Sequence, residues 1–474
     1  MKQPGTGHWL SIAHRAFRDA LVFVVAYLTA NYVRFTEFWR VDQFILPTVL
    51  GAVVLVSVMY VLGLYSIESC RRSNFSVHAI TLVLGFFFVL VAITLFGYVS
   101  VDQRIGRGYL ALGCLFSLPL LLINHWFIYH KYRIAPERIA FVAESVEELA
   151  EYERMKRLSP AGLHVAGRIS VNQVDDKSHD WLGRLKHVQS TIRQHKINCV
   201  VFADDRMEDP EARTFLRQLR YLGITCRTPI TICENYLHYV PLHLVTIKWL
   251  MYSESFYRDL YFGKLKRLFD VLTAIILLFV LSPFFLIGIV IVGVFSSDGP
   301  VFFTQERVGR FGKKFKIYKL RSMRTDAEKS GPVWSSATSD SRVFLGGAFL
   351  RRYRIDEIPQ LFNVIRGDMS FVGPRPERPE FVAKLADELP YYDERHMIHP
   401  GLTGWAQVCY PYGSSVGDAK CKLEYDLYYL KHASVIFDLL ILLDTIRVVL
   451  LGGVKRDKIQ RYSEEVGLAD KPLF

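Results

Sequence analysis

The chain has 474 residues, of which 51% are hydrophobic and 14% aromatic, and its mean hydropathy of +0.19 is too high for an ordinary soluble protein. The net charge of +12 suits anionic lipid or phosphorylated substrates, and the sequence lacks the reading helix or aromatic platform of a nucleic-acid-binding protein. Seven scattered cysteines without a C-x-x-C pair argue against a zinc site and a disulfide framework.

Four apolar stretches open the chain, at residues 17–32, 44–64, 79–99 and 109–129. The last three are long enough to span a bilayer as helices, whereas the first is marginal and needs its flanking residues. Basic residues precede the first stretch and follow the second and fourth, which favours both ends in the cytoplasm. We therefore predict a four-helix transmembrane region over residues 1–133, in preference to a buried soluble core.

Strand and helix patterns alternate between residues 136 and 252. The strand candidates are 138–143, 165–169, 198–203 and 224–228, and the helical patterns are 146–158, 180–196 and 209–222. This alternation predicts a Rossmann-like α/β domain with a parallel sheet over residues 134–255. The first strand continues as Phe-Val-Ala-Glu-Ser-Val without a glycine, so the close approach of a dinucleotide pyrophosphate is not provided for. We predict a structural or regulatory domain.

An apolar run over residues 268–295 is interrupted by Ser282 and Pro283 and has basic residues on both sides. A single crossing would place one basic flank outside the cell, against the usual cytoplasmic bias of lysine and arginine. A helix that breaks at Pro283 and returns satisfies both flanks, because proline removes a helical hydrogen bond and the Ser282 hydroxyl can satisfy a freed carbonyl. We predict a re-entrant hairpin over 265–295, with a kinked spanning helix as the alternative.

Two further segments carry mixed apolar and charged patterns. Residues 315–320 predict a strand that presents Lys316 either to a ligand or to anionic lipid. Residues 425–451 have a helical period with internal charges, which predicts a helix in the membrane interface. The tail over 456–474 is charged.

The stretch from Phe349 to Glu380 holds the strongest chemical signal. Its carboxylate pair, Asp356 and Glu357, follows three closely spaced arginines, and Arg375 stands between two prolines in a Gly-Pro-Arg-Pro corner. Proline restricts its own φ and the preceding residue, so the guanidinium of Arg375 is held for phosphate recognition. Neighbouring helical residues point about 100° apart, so the two carboxylates are expected to have different roles.

These motifs, with HPGLTGWAQV at 399–408 and the Ser-Pro break, closely resemble the bacterial sugar transferase family, the monotopic polyprenyl-phosphate glycosyl-1-phosphate transferases. The resemblance covers about residues 264–454 in detail, and the whole chain resembles the large form of the family. It implies a monotopic α/β catalytic domain over 260–455 that starts the assembly of exopolysaccharide, capsule or O-antigen. The enzyme would move a sugar-1-phosphate from a UDP-sugar to polyprenyl (undecaprenyl) phosphate and release UMP.

The resemblance also implies roles for single residues. Asp356 is the expected nucleophile that carries a covalent phospho-sugar, and Glu357 supports magnesium or proton handling. The residues expected at the phosphates or nucleotide are Arg351, Arg375, Lys319, Arg321 and Arg378. Asp356, Glu357 and Asp368 are the candidate Mg²⁺ ligands, although Asp368 in Gly-Asp-Met-Ser suits a turn-capping role equally.

The expected partners are a UDP-sugar, polyprenyl phosphate and the lipid bilayer, with a homodimer as a further option and no nucleic acid. The expected location is the bacterial inner membrane, with the catalytic domain facing the cytoplasm. Two alternatives stay open at this point. A membrane-anchored nucleotide-sugar dehydratase would need a glycine-rich turn that the first strand lacks, and a non-enzymatic membrane sensor would have no use for an intact Asp356-Glu357 pair.

Overall fold

A computed structural model describes residues 6–35, 41–65, 75–99, 107–132, 137–158, 163–171, 180–202, 210–252, 260–296, 299–327, 342–410 and 415–450. The chain divides into two compact units, Met1–Leu237 and His238–Phe474. The predicted charged tail at 456–474 lies outside the described residues.

Helices form at all four N-terminal apolar stretches: α1 (Thr6–Phe35), α2 (Val41–Val61), α3 (Phe75–Val99) and α4 (Arg107–Tyr132). They pack against one another and leave many large apolar side chains exposed on the outside, as lipid-facing helices do. Within the described residues, Ile12–Arg34, Gly108–Tyr129 and Lys264–Phe295 are long and apolar enough to cross a membrane. The apolar segments Ile45–Val61 and His78–Thr94 are shorter. The chain is therefore a membrane protein.

The predicted parallel sheet is confirmed. Its strands are β1 (Glu137–Val142), β2 (Leu163–Ser170), β3 (Trp181–Arg184), β4 (Cys199–Val201) and β5 (Thr225–Arg227). All neighbours pair in parallel in the order β3-β2-β1-β4-β5, which is the doubly wound arrangement. The helices of this part are α5 (Val146–Leu158), α6 (Val188–His195), α7 (Pro210–Tyr221) and α8 (Pro229–Tyr236).

The prediction of one helix over 180–196 was wrong, because its first residues form the edge strand β3. Gly183 adopts a φ of 142°, outside the helical region, and the Trp181 indole donates a hydrogen bond of 2.9 Å to the Ser170 hydroxyl on β2. Pairing with β2 therefore overrides the local helical pattern, and only Val188–His195 remains helical.

The turn after β1 is closed by a side chain of the following helix. The Glu148 carboxylate accepts hydrogen bonds from the backbone N–H groups of Glu144 (2.8 Å) and Ser145 (2.9 Å). The Ser145 hydroxyl accepts in return from the Glu148 N–H at 3.2 Å, which completes a capping box. In a dinucleotide-binding fold this position receives the pyrophosphate, so here the donors that it would need are already engaged.

We accordingly expect no saturable binding of NAD in the micromolar range, measured by calorimetry on the full chain. The turn has no glycine for close backbone approach, and the Glu148 carboxylate would repel a pyrophosphate. Glu148→Ala should lower the stability of the chain by about 1 kcal/mol through loss of the cap. Micromolar NAD binding by the wild-type chain would contradict this reading of the domain.

The second unit contains the long helix α10 (Leu260–Phe295), and it also contains the short helix α9 (Ile247–Tyr252). Pro283 cannot donate to the carbonyl four residues before it, which is that of Phe279. The Ser282 hydroxyl donates to this carbonyl at 2.7 Å, as the sequence predicted. At the start of the helix, Lys266 pairs with Asp438 and Arg267 donates to the carbonyls of Val364 and Ile365, so these two cations of the basic flank bond to protein.

The remaining helices and strands of this unit follow α10 in the chain. They are the antiparallel pair β6 (Phe302–Val308) and β7 (Lys314–Leu320), the parallel pair β8 (Ser370–Val372) and β9 (Gly401–Thr403), and the helices α11 (Leu345–Arg352), α12 (Gln360–Arg366), α13 (Pro379–Glu388), α14 (Trp405–Cys409), α15 (Val416–His432) and α16 (Val435–Leu450). The strand predicted at 315–320 is thus confirmed, and Lys316 is exposed on it.

The prediction of a single helix over 425–451 was wrong. The chain breaks at Ala433, and Ser434 starts a second helix by accepting from the Phe437 N–H at 3.2 Å. Tyr428 and Tyr429 are fully buried, and the Tyr429 hydroxyl donates to the Asp438 carboxylate at 2.7 Å. One of the charges that suggested contact with the interface, Asp438, is therefore engaged inside the protein.

Candidate active site

The two adjacent carboxylates stand on a tight turn between two helices. A 3₁₀ turn over Ile355–Glu357 follows α11, and Arg354 before it adopts left-handed backbone angles, φ 57° and ψ 21°. This conformation is uncommon for a residue other than glycine and costs free energy. It reverses the chain directly before the pair and turns the two side chains into different surroundings.

Glu357 lies at the centre of three cations. Its carboxylate oxygens are 2.9 Å from Lys319 Nζ, 3.1 Å from Arg354 Nη1 and 3.3 Å from Arg375 Nη2. Burial favours the neutral acid, but Lys319, Arg375 and Arg354 together outweigh it and hold the pKa of Glu357 well below its ordinary value. Glu357 is therefore ionised at neutral pH and orients the cations around it.

Asp356 has the opposite surroundings. Its side chain is buried, 7% exposed, and within the described residues Oδ1 has no hydrogen-bond partner. Burial and then the charge of Glu357 raise the pKa of Asp356 to about 6, against the smaller effects of Lys319, Arg354 and Arg351. At pH 7 the carboxylate is still mostly ionised, and a buried carboxylate oxygen that accepts no hydrogen bond is well suited to act as a nucleophile. The salt bridges of Lys319, Arg354 and Arg375 at this pair are formed with Glu357.

The loop that carries Arg375 is fixed by its backbone as well as by its prolines. Each of its four carbonyls accepts a bond from a different residue. The bonds run from Gly401 N–H to Pro374 (2.8 Å), from Arg395 Nη2 to Arg375 (3.0 Å), from Arg307 Nη1 to Pro376 (3.2 Å) and from Val308 N–H to Glu377 (3.0 Å). The guanidinium of Arg375 is thus pre-positioned at Glu357 at little entropic cost on binding an anion.

The segment at 399–408 belongs to the same structure because it packs directly on this loop. Gly373 donates to the Thr403 carbonyl at 2.9 Å, and Ser370 donates to that of Pro400 at 2.9 Å. A Cβ on Gly401 would lie 2.1 Å from the backbone nitrogen of Gly373, so only glycine permits this approach. The Gly-Pro-Arg-Pro corner and the segment at 399–408 are therefore held together by hydrogen bonds between their backbones.

Two arginines at this site were not among the predicted site residues. Arg354 contacts Glu357 from three positions before it, a spacing that the sequence displayed. Arg395 is buried, bonds to Asp426 at 2.9 Å and to the Tyr392 hydroxyl at 2.6 Å, and thereby positions the Arg375 carbonyl. No local pattern marks Arg395 as a site residue, because Asp426 and the Arg375 carbonyl come from distant parts of the chain.

Comparison with known proteins agrees with this geometry. A family model described as bacterial sugar transferase matches residues 261–452. The exopolysaccharide production protein PSS of Rhizobium leguminosarum bv. phaseoli is 41% identical over 187 residues, which are 38% of this chain and 93% of that protein. The chain belongs to the bacterial sugar transferase family.

Longer members of the family match over part of their length. A UDP-N-acetylgalactosamine-undecaprenyl-phosphate N-acetylgalactosaminephosphotransferase of Aeromonas hydrophila is 44% identical over 188 residues, 40% of this chain and 44% of the relative. A UDP-glucose:undecaprenyl-phosphate glucose-1-phosphate transferase of Escherichia coli K12 is 31% identical over 300 residues, 60% of this chain and 61% of the relative. The chain thus spans less than two thirds of each of these two relatives.

Only some of the residues that were predicted to bind phosphate lie at the Asp356–Glu357 pair. Lys319 and Arg375 contact Glu357, and Arg351 acts on Asp356 electrostatically. Arg321 is buried and donates to the carbonyls of Ser296 and Gly299, so it holds the end of α10. Arg378 lies 3.6 Å from Glu380 and against the Phe381 ring.

The three carboxylates predicted as magnesium ligands do not converge. Asp368 accepts from the Asn363 amide at 3.2 Å, as a turn-capping residue does. In the described part of the chain, no three His, Cys, Asp or Glu side chains lie close enough to share a metal. Mg²⁺ often uses only one or two carboxylates and completes its shell with substrate phosphates and water. The unpartnered Oδ1 of Asp356 fits such a ligand, whereas both oxygens of Glu357 are engaged.

The raised pKa of Asp356 predicts an acid limb in the activity of the enzyme. A nucleophilic carboxylate must be ionised, so kcat/KM should fall about tenfold per pH unit as pH drops below about 6. Arg351 opposes the raised pKa, so Arg351→Gln should move this limb to higher pH. Steady-state rates across pH for both proteins measure the shift. A limb near the ordinary aspartate value, unmoved by the substitution, would contradict the assignment.

Proposed function

We propose that the chain transfers a sugar-1-phosphate from a UDP-sugar to polyprenyl phosphate at the cytoplasmic face of the bacterial inner membrane. The observation that carries the proposal is the divided pair: an unpartnered buried Asp356 beside a Glu357 that collects three cations. The relatives named for transfer to undecaprenyl phosphate also support the proposal.

The transfer proceeds in two displacements at one phosphorus atom. An Asp356 carboxylate oxygen attacks the β-phosphorus of the UDP-sugar, the bond from that phosphorus to the bridging oxygen breaks, and UMP leaves with this oxygen and its electron pair. An oxygen of polyprenyl phosphate then attacks the same phosphorus, and the Asp356 carboxylate leaves. The products are polyprenyl-diphosphate-sugar and a regenerated enzyme.

The cations contribute charge stabilisation at both steps. Arg375 and Lys319 are held at Glu357 and can contact the diphosphate, because charge accumulates on the phosphoryl oxygens and on the leaving UMP. Mg²⁺, held by Asp356 and the diphosphate, would neutralise the substrate anion when bound. Arg395 keeps the Arg375 loop in place through its bond to the carbonyl.

We propose further that residues 264–295 form the re-entrant hairpin. Asp270 accepts from the Phe371 N–H before the break, and Leu320 and Ile355 pack against Gly288 after it, so the same unit contacts both sides of Pro283. Between these contacts the side chains are exposed and apolar, with Phe279 83% exposed. A straight helix of 36 residues would measure about 54 Å, well beyond a hydrocarbon core of about 30 Å.

Topology is tested by cysteine labelling at Lys264 and Lys313 in intact cells. The hairpin predicts that both positions react only after the inner membrane is made permeable, and Pro283→Leu should straighten the helix and abolish activity with Asp356 intact. Labelling of one position from outside and the other from inside would establish a crossing helix instead.

The reaction is tested by UMP release from a panel of UDP-sugars in the presence of polyprenyl phosphate and magnesium. We expect one or a few sugars to support turnover, together with formation of a lipid-linked diphosphate sugar. Failure of every UDP-sugar, with the protein folded and membrane-inserted, would reject the proposed donor class.

A further inference from the structure

A connected set of polar side chains lies inside the four N-terminal helices, away from the proposed active site. Asp19 on α1 is fully buried and accepts hydrogen bonds from the Tyr65 hydroxyl (2.8 Å) and the Asn124 amide (2.6 Å), and it contacts His125 Nε2 at 2.8 Å. His125 Nδ1 is 2.9 Å from Nε2 of His78 on α3. Charged and titratable groups in a membrane-embedded bundle are costly to bury and usually functional.

With Asp19 ionised and His125 neutral, the donors and acceptors allow one proton arrangement for this chain of groups. The Asp19 carboxylate can only accept, so His125 Nε2 donates to it. Neutral His125 must then accept at Nδ1, and His78 donates to it through Nε2. This leaves His78 Nδ1 with a lone pair, and this buried nitrogen has no hydrogen-bond partner among the described residues. The row can therefore accept a proton at His78 and pass protons toward Asp19.

His78 is buried, and burial disfavours that extra proton in the packed state. Arg18 on α1 donates to Asn124, and Arg15, also buried, acts electrostatically on Tyr65. The Tyr129 ring from α4 lies against His78 with a centroid distance of 6.2 Å. A protonated His78 would add a buried positive charge beside His125 and would need an acceptor for Nδ1–H. The protonated row is therefore better solvated when the helix ends separate and admit water.

We propose that His78, His125 and Asp19 form a proton-binding site that loosens the packing of the four helices when it takes up a proton. All four helices or their ends contribute to it, since Tyr65 follows α2, and the contacts lie at one end of the bundle. The site would let the packing of this membrane region respond to pH, independently of the sugar transfer.

The test is hydrogen–deuterium exchange of the full chain in phosphatidylcholine nanodiscs between about pH 8 and about pH 5, corrected for the intrinsic exchange rate. If only the open form binds the proton, opening at residues 75–85 and 120–130 should increase about tenfold per pH unit below about pH 6.5. His78→Gln retains an N–H donor to His125 but cannot titrate, so it should weaken this dependence, and His78→Gln with His125→Gln should remove it.

His14→Gln is the matched control, because His14 is exposed on α1, and it should retain the wild-type dependence. Corrected exchange of the wild-type chain that does not change with pH would overturn the proposal without any variant. An unchanged dependence in the double variant would overturn it as well.

Discussion

Asp356→Asn should reduce turnover by at least about a thousandfold while UDP-sugar binding persists, because the change removes the nucleophilic oxygen and retains the shape of the side chain. Wild-type enzyme incubated with a UDP-sugar and magnesium, without lipid acceptor, should release UMP stoichiometrically with active sites. Intact mass and peptide mapping should then locate a phospho-sugar on the peptide that contains Asp356, and the variant should carry none.

The same substitution should raise stability at neutral pH. The pKa of Asp356 is about 6 in the folded chain and about 3.8 when unfolded, so ionisation destabilises the fold fully above pH 6 and not at all below pH 3.8. Removing that charge should stabilise the chain by up to about 3 kcal/mol in thermal unfolding near pH 7.5. Asp387→Asn, at an exposed position, is the control, and its stability should change little.

The experiment without lipid acceptor can also contradict the covalent intermediate. UMP release strictly dependent on acceptor, with no adduct, would mean direct transfer and would leave Asp356 as a metal ligand.

Glu357→Gln should have the opposite effect on stability. The variant leaves Lys319, Arg354 and Arg375 without their shared carboxylate, and breaking a buried ion pair costs about 3 kcal/mol. Because the pKa of Glu357 is depressed in the folded chain, its contribution is present above the unfolded value of about 4.5 and disappears as pH falls through the folded value. Unfolding curves at pH 7 and at low pH measure the loss of stability in Glu357→Gln and its dependence on pH.

Activity should fall with Glu357→Gln because the cations that contact the diphosphate lose their anchor. Lys319→Met should be less harmful in the Glu357→Gln background than alone, which a double-mutant cycle would reveal as coupling energy. Glu388→Gln, in an exposed pair with Lys384, is the control and should change stability by less than about 0.5 kcal/mol. Independent effects of the two changes would show that Glu357 does not position Lys319.

The fold could largely be predicted from local sequence patterns, and the errors in that prediction have a common cause. Apolar length located the N-terminal helices, and alternation located most strands of the sheet, because burial imposes a period on each element. The strand at Trp181–Arg184 and the break at Ala433 were missed. Both involve a partner elsewhere in the chain: β2 for the strand, and Lys266, which pairs with the buried Asp438, for the helix after the break.

At the site, the sequence by itself determined which groups are present: two adjacent carboxylates, nearby arginines and an Arg375 stiffened by prolines. Spacing in the chain also determined the Ser282–Phe279 hydrogen bond, since a serine before a proline always lies beside the freed carbonyl. Only the tertiary structure decided which carboxylate receives the cations. Lys319 and Arg375 arrive from a strand and a loop far from Glu357 in sequence, and Arg395 fixes that loop from another segment. Charge energies depend on distances and on exclusion of water, so the difference between an ionised Glu357 and a poised Asp356 exists only once the chain has folded.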